Sequence, residues 1–262
     1  MLIDLSGKKA LVGGGSDGIG KGIALQLAAA GAEVFVMARN EEKLKAVVAE
    51  LDDAKGQQHG YVITDFNDLE KHKAVLKDFF GKHSIDILLN NTNGPQPGNV
   101  LSKKETDYQV AFDLLFQNAV IASELALPHM RKQGFGRIIN VSSLTVKEPQ
   151  DNLVLSNSMR IALVSWSKSL SAAVAKDGIT VNSIMTGYFD TERLNSLMEG
   201  QAKQQGIPLE DVKQHRLESI PSKRLGLPAE YGFLVTFLAS DYASYLNGAS
   251  IPLDGGLSKV VF

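Results

Sequence analysis

The residues best placed to do chemistry begin at position 13. Gly13-Gly14-Gly15-Ser16-Asp17-Gly18-Ile19-Gly20 follows an apolar run, KKALVGG, and leads into a helix-like stretch. Glycines in such a turn let the backbone approach a pyrophosphate closely, and the helix beyond offers its positive N-terminus to that charge. A glycine string alone is often only a turn. Its place between a strand and a helix near the N-terminus is what points to a dinucleotide. A second apolar run ends in Met37-Ala38-Arg39-Asn40. A carboxylate at this strand end would grip an adenosine ribose 2′-hydroxyl; Ala38 has none, and Arg39 offers a guanidinium fork suited to a 2′-phosphate. NADP is therefore favoured over NAD, against the plainer account of Arg39 as a solvated arginine at a helix start. Asp17 complicates the pattern, because it could pair with Arg39 or repel a phosphate.

These groups need a scaffold, and the rest of the chain supplies its pattern. KKALVGG, EVFVMA, QHGYVIT, IDILLNN, GRIINVSS and ITVNSIM read as short buried strands, with a last one at ASIPLD. Helix-like stretches lie between them at 18–31, 41–53, 68–82, 104–133, 153–176 and 228–240. Such alternation predicts an α/β fold with right-handed crossovers and a parallel sheet covered on both faces. Residues 191–220 break the rhythm with polar, helical sequence and no strand, as expected of a substrate lid on a strand's C-terminal end.

Composition narrows the function classes. The 262 residues, 44% hydrophobic and 21% charged, suffice for one large domain spanning 1–262, and no linker divides them. A formal net charge of -2 with interspersed signs gives no nucleic-acid footprint. Cysteine is absent, which excludes disulfides, thiolate metal sites and a cysteine nucleophile. His59, His72, His83, His129 and His215 stand at no metal-ligand spacing, so no metal is expected. Neither a signal peptide nor a membrane span is read from the sequence, and the expectation is a cytoplasmic protein whose partner is a small-molecule substrate rather than nucleic acid or membrane.

Taken in order, these motifs resemble the short-chain dehydrogenase/reductases over nearly the whole chain. The glycine turn is similar to TGxxxGxG with Gly13 in the threonine place, Asn90-Asn91-Thr92-Asn93 to NNAG, and VNSIMTG to VNxxxPG with Thr186 for proline. IPSKRLGLPAEYGFLVTFLASDYASYLNGASIPLDGG resembles the family's C-terminal signature. The resemblance implies a Rossmann-type, doubly wound sheet of about seven strands in the order 3-2-1-4-5-6-7. It implies cofactor contacts from Gly14, Ser16, Asp17, Gly18, Ile19 and Gly20, from Arg39 and Asn40, and from Asp65 and Phe66 after the third strand. Asn91, Arg160, Gly187, Phe189 and Thr191 complete that implied set. It also implies a homo-oligomer, a tetramer or dimer, with which the apolar stretches 110–128 and 153–175 agree, although packing within one chain would explain them equally well.

The same resemblance exposes a departure. Family enzymes use an Asn-Ser-Tyr-Lys set to reduce carbonyls; here Ser143 fills the serine place, Ser156 the tyrosine place, Arg160 the lysine place and Leu115 the asparagine place. A serine hydroxyl is a far weaker acid than a phenol, whose reference pKa is about 10. General acid catalysis contributes about 10²–10⁴-fold, so ordinary ketone reduction should suffer at least that. Arg160 keeps a positive charge for a ribose or a developing oxyanion. Ser143 is equally a strand-end hydroxyl satisfying backbone. Tyr188 follows Thr186-Gly187 near the implied nicotinamide pocket and could supply a phenol, although a buried structural tyrosine is the commoner case. Lys147 and Glu148 lie on the loop between Ser143 and Ser156, as groups for an acidic ligand or as plain solvated charges. Three functions stay open: an NADP-dependent oxidoreductase acting on an activated acceptor such as an enone or imine, an ordinary 3-oxoacyl reductase of low activity, and a silent NADP(H)- or partner-binding protein.

Overall fold

Valine, isoleucine and leucine fill the strands without alternation, and the computed structural model, which describes residues 2–261, shows why: both faces of the sheet are covered. The strands are β1 (Lys9–Gly13), β2 (Glu33–Ala38), β3 (Gly60–Ile63), β4 (Ile87–Asn90), β5 (Gly136–Ser143), β6 (Ile179–Thr186) and β7 (Ser250–Leu253). They pair in parallel in the order β3-β2-β1-β4-β5-β6-β7, as the resemblance implied. Successive residues feed opposite cores: Ala10 and Val12 face one cluster, Leu11 the other.

The first core packs α1 (Gly18–Ala29), α2 (Glu41–Glu50) and α9 (Pro228–Ala239) on one face through Ile23, Leu27, Leu44, Val235 and Leu238. On the other face, α3 (Leu69–Lys82), α5 (Asn118–Gln133) and α6 (Val154–Val174) contribute Leu76, Phe79, Ala126, Met130 and Val174. The predicted helix 104–133 is one continuous run, but α4 (Glu105–Phe112) joins α5 through a wide π turn at Asp113–Gln117 that sequence periodicity did not reveal. By length and composition this run, Glu105–Gln133, is apolar enough to cross a bilayer, contrary to the sequence expectation. It packs instead against α3, α6 and the sheet, and Gly134 ends it in a left-handed cap.

After β6 the chain makes α7 (Glu192–Gln205) and α8 (Leu209–Ser219), within the stretch expected to leave the rhythm. They carry a small core of their own, Leu194, Met198, Ala202 and Val212, against which Tyr188 and Leu225 pack. Charged and polar side chains cover their outer faces, and the two helices pack chiefly against each other.

Candidate active site

The glycine turn lies at the sheet's C-terminal edge, where β1 leads left to β2 and right to β4. Gly18 adopts a φ of 51°, and a Cβ on Gly20 would strike the Gly14 carbonyl, so α1 can start only where these residues carry no side chain. Asp17 caps α1 through a 2.7 Å bond from the Gly18 amide. Its second oxygen accepts from Lys43 Nζ at 3.0 Å, and Lys43 also reaches Glu192 at 3.2 Å. Burial raises the Asp17 carboxyl, but the bonds from Lys43 and Gly18 outweigh it and hold the group below the usual carboxylate range. Asp17 thus has a cation other than Arg39, and Lys43 was not singled out in the sequence because its partners lie 26 and 149 positions away.

Arg39 lies 3.8 Å from Asp65, a loose pair in which the arginine side chain is 57% exposed. Asp65 is held by the backbone and side-chain nitrogens of Asn67, both at 2.9 Å. Asn40 caps α2 by accepting from the Lys43 amide at 2.9 Å. A loosely held, exposed guanidinium at Arg39 and no carboxylate at Ala38 fit a 2′-phosphate better than a bare ribose hydroxyl. Ser16 and Ile19 are half-buried at the rim of the turn. Asn91 donates to the Gly13 carbonyl at 3.0 Å and fastens β4 to β1, while Phe66 offers its carbonyl to Asn118 at 2.8 Å. Across the edge, the Gly187 amide bonds the Leu253 carbonyl at 3.0 Å, Phe189 is buried edge-on to Tyr231, and Thr191 caps α7 at 3.2 Å.

The second cluster forms where β5 ends and α6 begins. Ser143 Oγ accepts from the amide and hydroxyl of Thr145 at 3.2 and 3.1 Å, so it does hold a local turn; its own proton stays available to donate. Ser156 and Arg160 stand one turn apart on α6. Arg160 Nε donates to Ser156 Oγ at 3.2 Å and a terminal nitrogen donates to the Val141 carbonyl at 2.6 Å, tying α6 to β5. Burial pushes the Arg160 guanidinium down to about 10, with Tyr231 opposing and Arg193 adding to the shift, so the group remains a cation at neutral pH.

Leu115 sits in the π turn, buried, and lines a narrow cavity of about 20 Å³ with Asn91, Asn118, Arg160 and His72. Asn118, three residues on, was missed in the sequence. Its amide donates to the carbonyls of Phe66 and Leu114 at 2.8 and 3.3 Å, while its buried Oδ1 has no partner among the described residues. A polar residue in an apolar helix stretch was the available signal. Tyr231 was missed too. It is fully buried with its hydroxyl 3.0 Å from that of Thr186, the residue in the proline place, and burial raises its pKa far enough to keep it protonated.

Tyr188 is half-buried at the base of α7 and α8, with the Arg216 guanidinium 4.3 Å above its ring. Its ring is thereby engaged with α8 rather than bonded to Ser143, Ser156 or Arg160. Glu148 is not a free charge either: it accepts from the Ser258 hydroxyl and the Lys259 amide at 2.7 and 3.0 Å, which binds the C-terminal residues to the loop before α6. Among the described residues no three metal-ligating side chains come together.

A parallel sheet of this order, with a glycine turn at its first strand-to-helix junction beside the point where connections reverse, is the Rossmann-type fold of dinucleotide-binding proteins. Residues 8–202 match the short chain dehydrogenase family, and the chain belongs to it. It is 30% identical over 260 residues to the NADPH-dependent reductase BacG of Bacillus subtilis, covering 98% of this chain and 100% of that one. It is also 30% identical over 258 residues to the 3-oxoacyl-(acyl-carrier-protein) reductase FabG of Aquifex aeolicus, covering 98% and 100%. The structure of L-sorbose reductase from Gluconobacter frateurii, complexed with NADPH and L-sorbose, superposes with a TM-score of 0.91 at 29% identity over the full length of both chains.

Proposed function

We propose that this protein is an NADP(H)-dependent reductase of an activated acceptor, an enone or an imine, rather than of a plain ketone. The observation that carries this is Arg160: a permanent cation held by Ser156 and the Val141 carbonyl in the place where family enzymes keep a tyrosine–lysine pair, with no phenol bonded to it. The exposed Arg39 and the absent carboxylate at Ala38 support NADP, as does the likeness to an NADPH-dependent reductase.

When bound, the reduced nicotinamide supplies hydride to the acceptor carbon. The chain's own residues then have to stabilise charge that builds on the acceptor's oxygen or nitrogen. Ser143, already accepting two bonds, is left to donate one toward that atom. Arg160, charged and partly desolvated, offers its remaining N–H donors, and electrostatic stabilisation of this kind needs no strong acid. For an enone the charge spreads into an enolate that solvent protonates at carbon, so Ser156 need not give up a proton. An ordinary 3-oxoacyl reductase of low activity is the second reading, favoured by the likeness to FabG. The helices of 191–220 serve as the lid of one domain. Exposed apolar side chains, Val110 and Ile161 on one side and Phe233 and Tyr245 on another, support assembly into a dimer or tetramer.

The test is a fluorescence titration with NADPH and with NADH, followed by turnover on an enone and on the saturated ketone of the same skeleton. Tighter binding of NADPH and faster use of the enone are expected. Equal or better use of the ketone refutes the activated-acceptor assignment, and failure to bind either nucleotide leaves a silent scaffold.

A further inference from the structure

Ion pairing among the arginines is uneven. The chain has seven. Arg39, Arg131, Arg137 and Arg224 each lie within 3.8 Å of a carboxylate: Asp65, Asp177, Asp241 and Glu230. Among the described residues Arg160, Arg193 and Arg216 have no such partner, and these three stand on α6, α7 and α8, the helices around the open end of the site. Arg193 reaches from the first turn of α7 to the carbonyls of Gly94 and Pro95 at 3.4 and 3.2 Å, using a single terminal nitrogen. Its Nε and other terminal nitrogen make no bond among the described residues. Arg160 lines the cavity beside Asn91 and Thr92 of the same loop, so both guanidinium groups neighbour the stretch 91–95. They are close enough that the charge of Arg193 pushes the Arg160 guanidinium down.

Three of the neighbouring acids are committed elsewhere, and a fourth is paired with neither arginine. Glu192, adjacent in sequence, bonds Lys43; Asp17 bonds the same lysine; Glu148 holds the C-terminal residues; Asp190 is exposed and forms no ion pair among the described residues. Two cations beside one loop, neither paired with a carboxylate among the described residues, repel each other, and an anion placed between them relieves that cost. With one terminal nitrogen pinned to carbonyls, the Arg193 guanidinium keeps Nε and its other terminal nitrogen as unused donors, each able to give a charge-assisted hydrogen bond to a carboxylate oxygen.

We propose that the substrate is a carboxylic acid, its carboxylate received by Arg193 at the mouth of the site and its reducible group directed toward Arg160 and Ser143. This deepens the reductase assignment and rests on it for the second half. The other source of negative charge is the cofactor's own pyrophosphate, and the experiment separates the two.

The probes are trans-4-oxopent-2-enoate and its methyl ester, given to the NADPH-loaded protein, with turnover read by NADPH oxidation and binding by thermal stabilisation. The acid should show a KM lower than the ester by about tenfold or more, equivalent to about 1.4 kcal/mol. Arg193→Gln should collapse that acid-to-ester ratio toward one, and Arg193→Lys should retain part of it. Equal KM values for acid and ester in the unaltered protein overturn the proposal. So does a ratio that survives Arg193→Gln while the Kd for NADPH rises about tenfold, which assigns the arginine to the cofactor's phosphates. If neither compound is reduced but the acid stabilises the protein more than the ester in an Arg193-dependent way, the carboxylate site stands and the reductase assignment falls. If neither is reduced and neither stabilises, both fall.

Discussion

His72 offers a quantitative test of how the site's floor is built. The imidazole is 1% exposed on α3, its Nδ1 lies 2.9 Å from the Thr64 hydroxyl, and its ring sits 5.0 Å from that of Phe66 beside the Asn118 cavity. Burial pushes its pKa from 6.5 down to about 4, so the native protein holds it neutral. The unfolded chain binds the proton first, and stability must therefore be complete above about pH 6.5 and fall as the pH drops toward 4. Each pH unit between the unfolded and folded titrations is worth about 1.36 kcal/mol, so the full loss is about 3 kcal/mol below pH 4, of which about 2 kcal/mol is gone by pH 5. That is a large part of the total stability of a typical domain, about 5–15 kcal/mol. Urea unfolding at pH 7.5, 6 and 5, followed by Trp166 fluorescence, measures it, with His72→Gln as the non-titrating reference so that carboxylates shared by both proteins cancel. The unaltered protein should lose about 2 kcal/mol more than the variant between pH 7.5 and 5. Parallel pH dependences would refute the assignment of a buried neutral imidazole.

Three further outcomes follow from the site. Arg160→Ala should cut turnover on the activated acceptor by about 10²-fold, the scale of losing one oxyanion donor, while Ser156→Ala should stay within a few-fold; a severe Ser156→Ala effect would make the serine a direct participant. Ser156→Tyr combined with Arg160→Lys should not simply restore ketone reduction, because Leu115 remains apolar, and a gain of about 10²-fold or more in ketone kcat/KM would contradict this. Asn118→Leu should destabilise the fold by about 1–2 kcal/mol through loss of its bonds to Phe66 and Leu114, read as a shift in urea midpoint; an unchanged midpoint removes Asn118 from the stitching of the π turn.

The strands were legible because runs such as EVFVMA and GRIINVSS are buried on both faces and end at turn residues; the structure places them at Glu33–Ala38 and Gly136–Ser143. The helix 228–240 was legible as a helix-like stretch between strands and is Pro228–Ala239, with the proline in its first turn. What composition could not carry was pairing at long range. Asp17 read as a conflict with Arg39 because nothing local announces that Lys43 will reach it. Thr186 read as a lost proline, and only the fold brings Tyr231 to its hydroxyl from 45 positions away. The unpaired state of Arg160 and Arg193 was likewise invisible, since a missing ion pair depends on where every carboxylate ends up.

The π turn at Asp113–Gln117 has a consequence for how relatives are compared. One extra residue in a turn rotates everything beyond it by about 100° relative to an unbroken α-helix. The rotation lets α4 pack toward α6 while α5 packs toward α3 and the sheet, and it is pinned by Thr92 and Asn118 side chains on the Leu114 carbonyl. Residue columns on the two sides of the turn are therefore out of phase. Counting back from Pro128 and Gly136 puts Leu115 in the asparagine place, whereas a relative one residue shorter here would bring a different side chain to that spot with the same sequence on either flank. A single-residue gap at this point acts as a phase change in the helix, able to swap which residue faces Arg160 without any substitution at all.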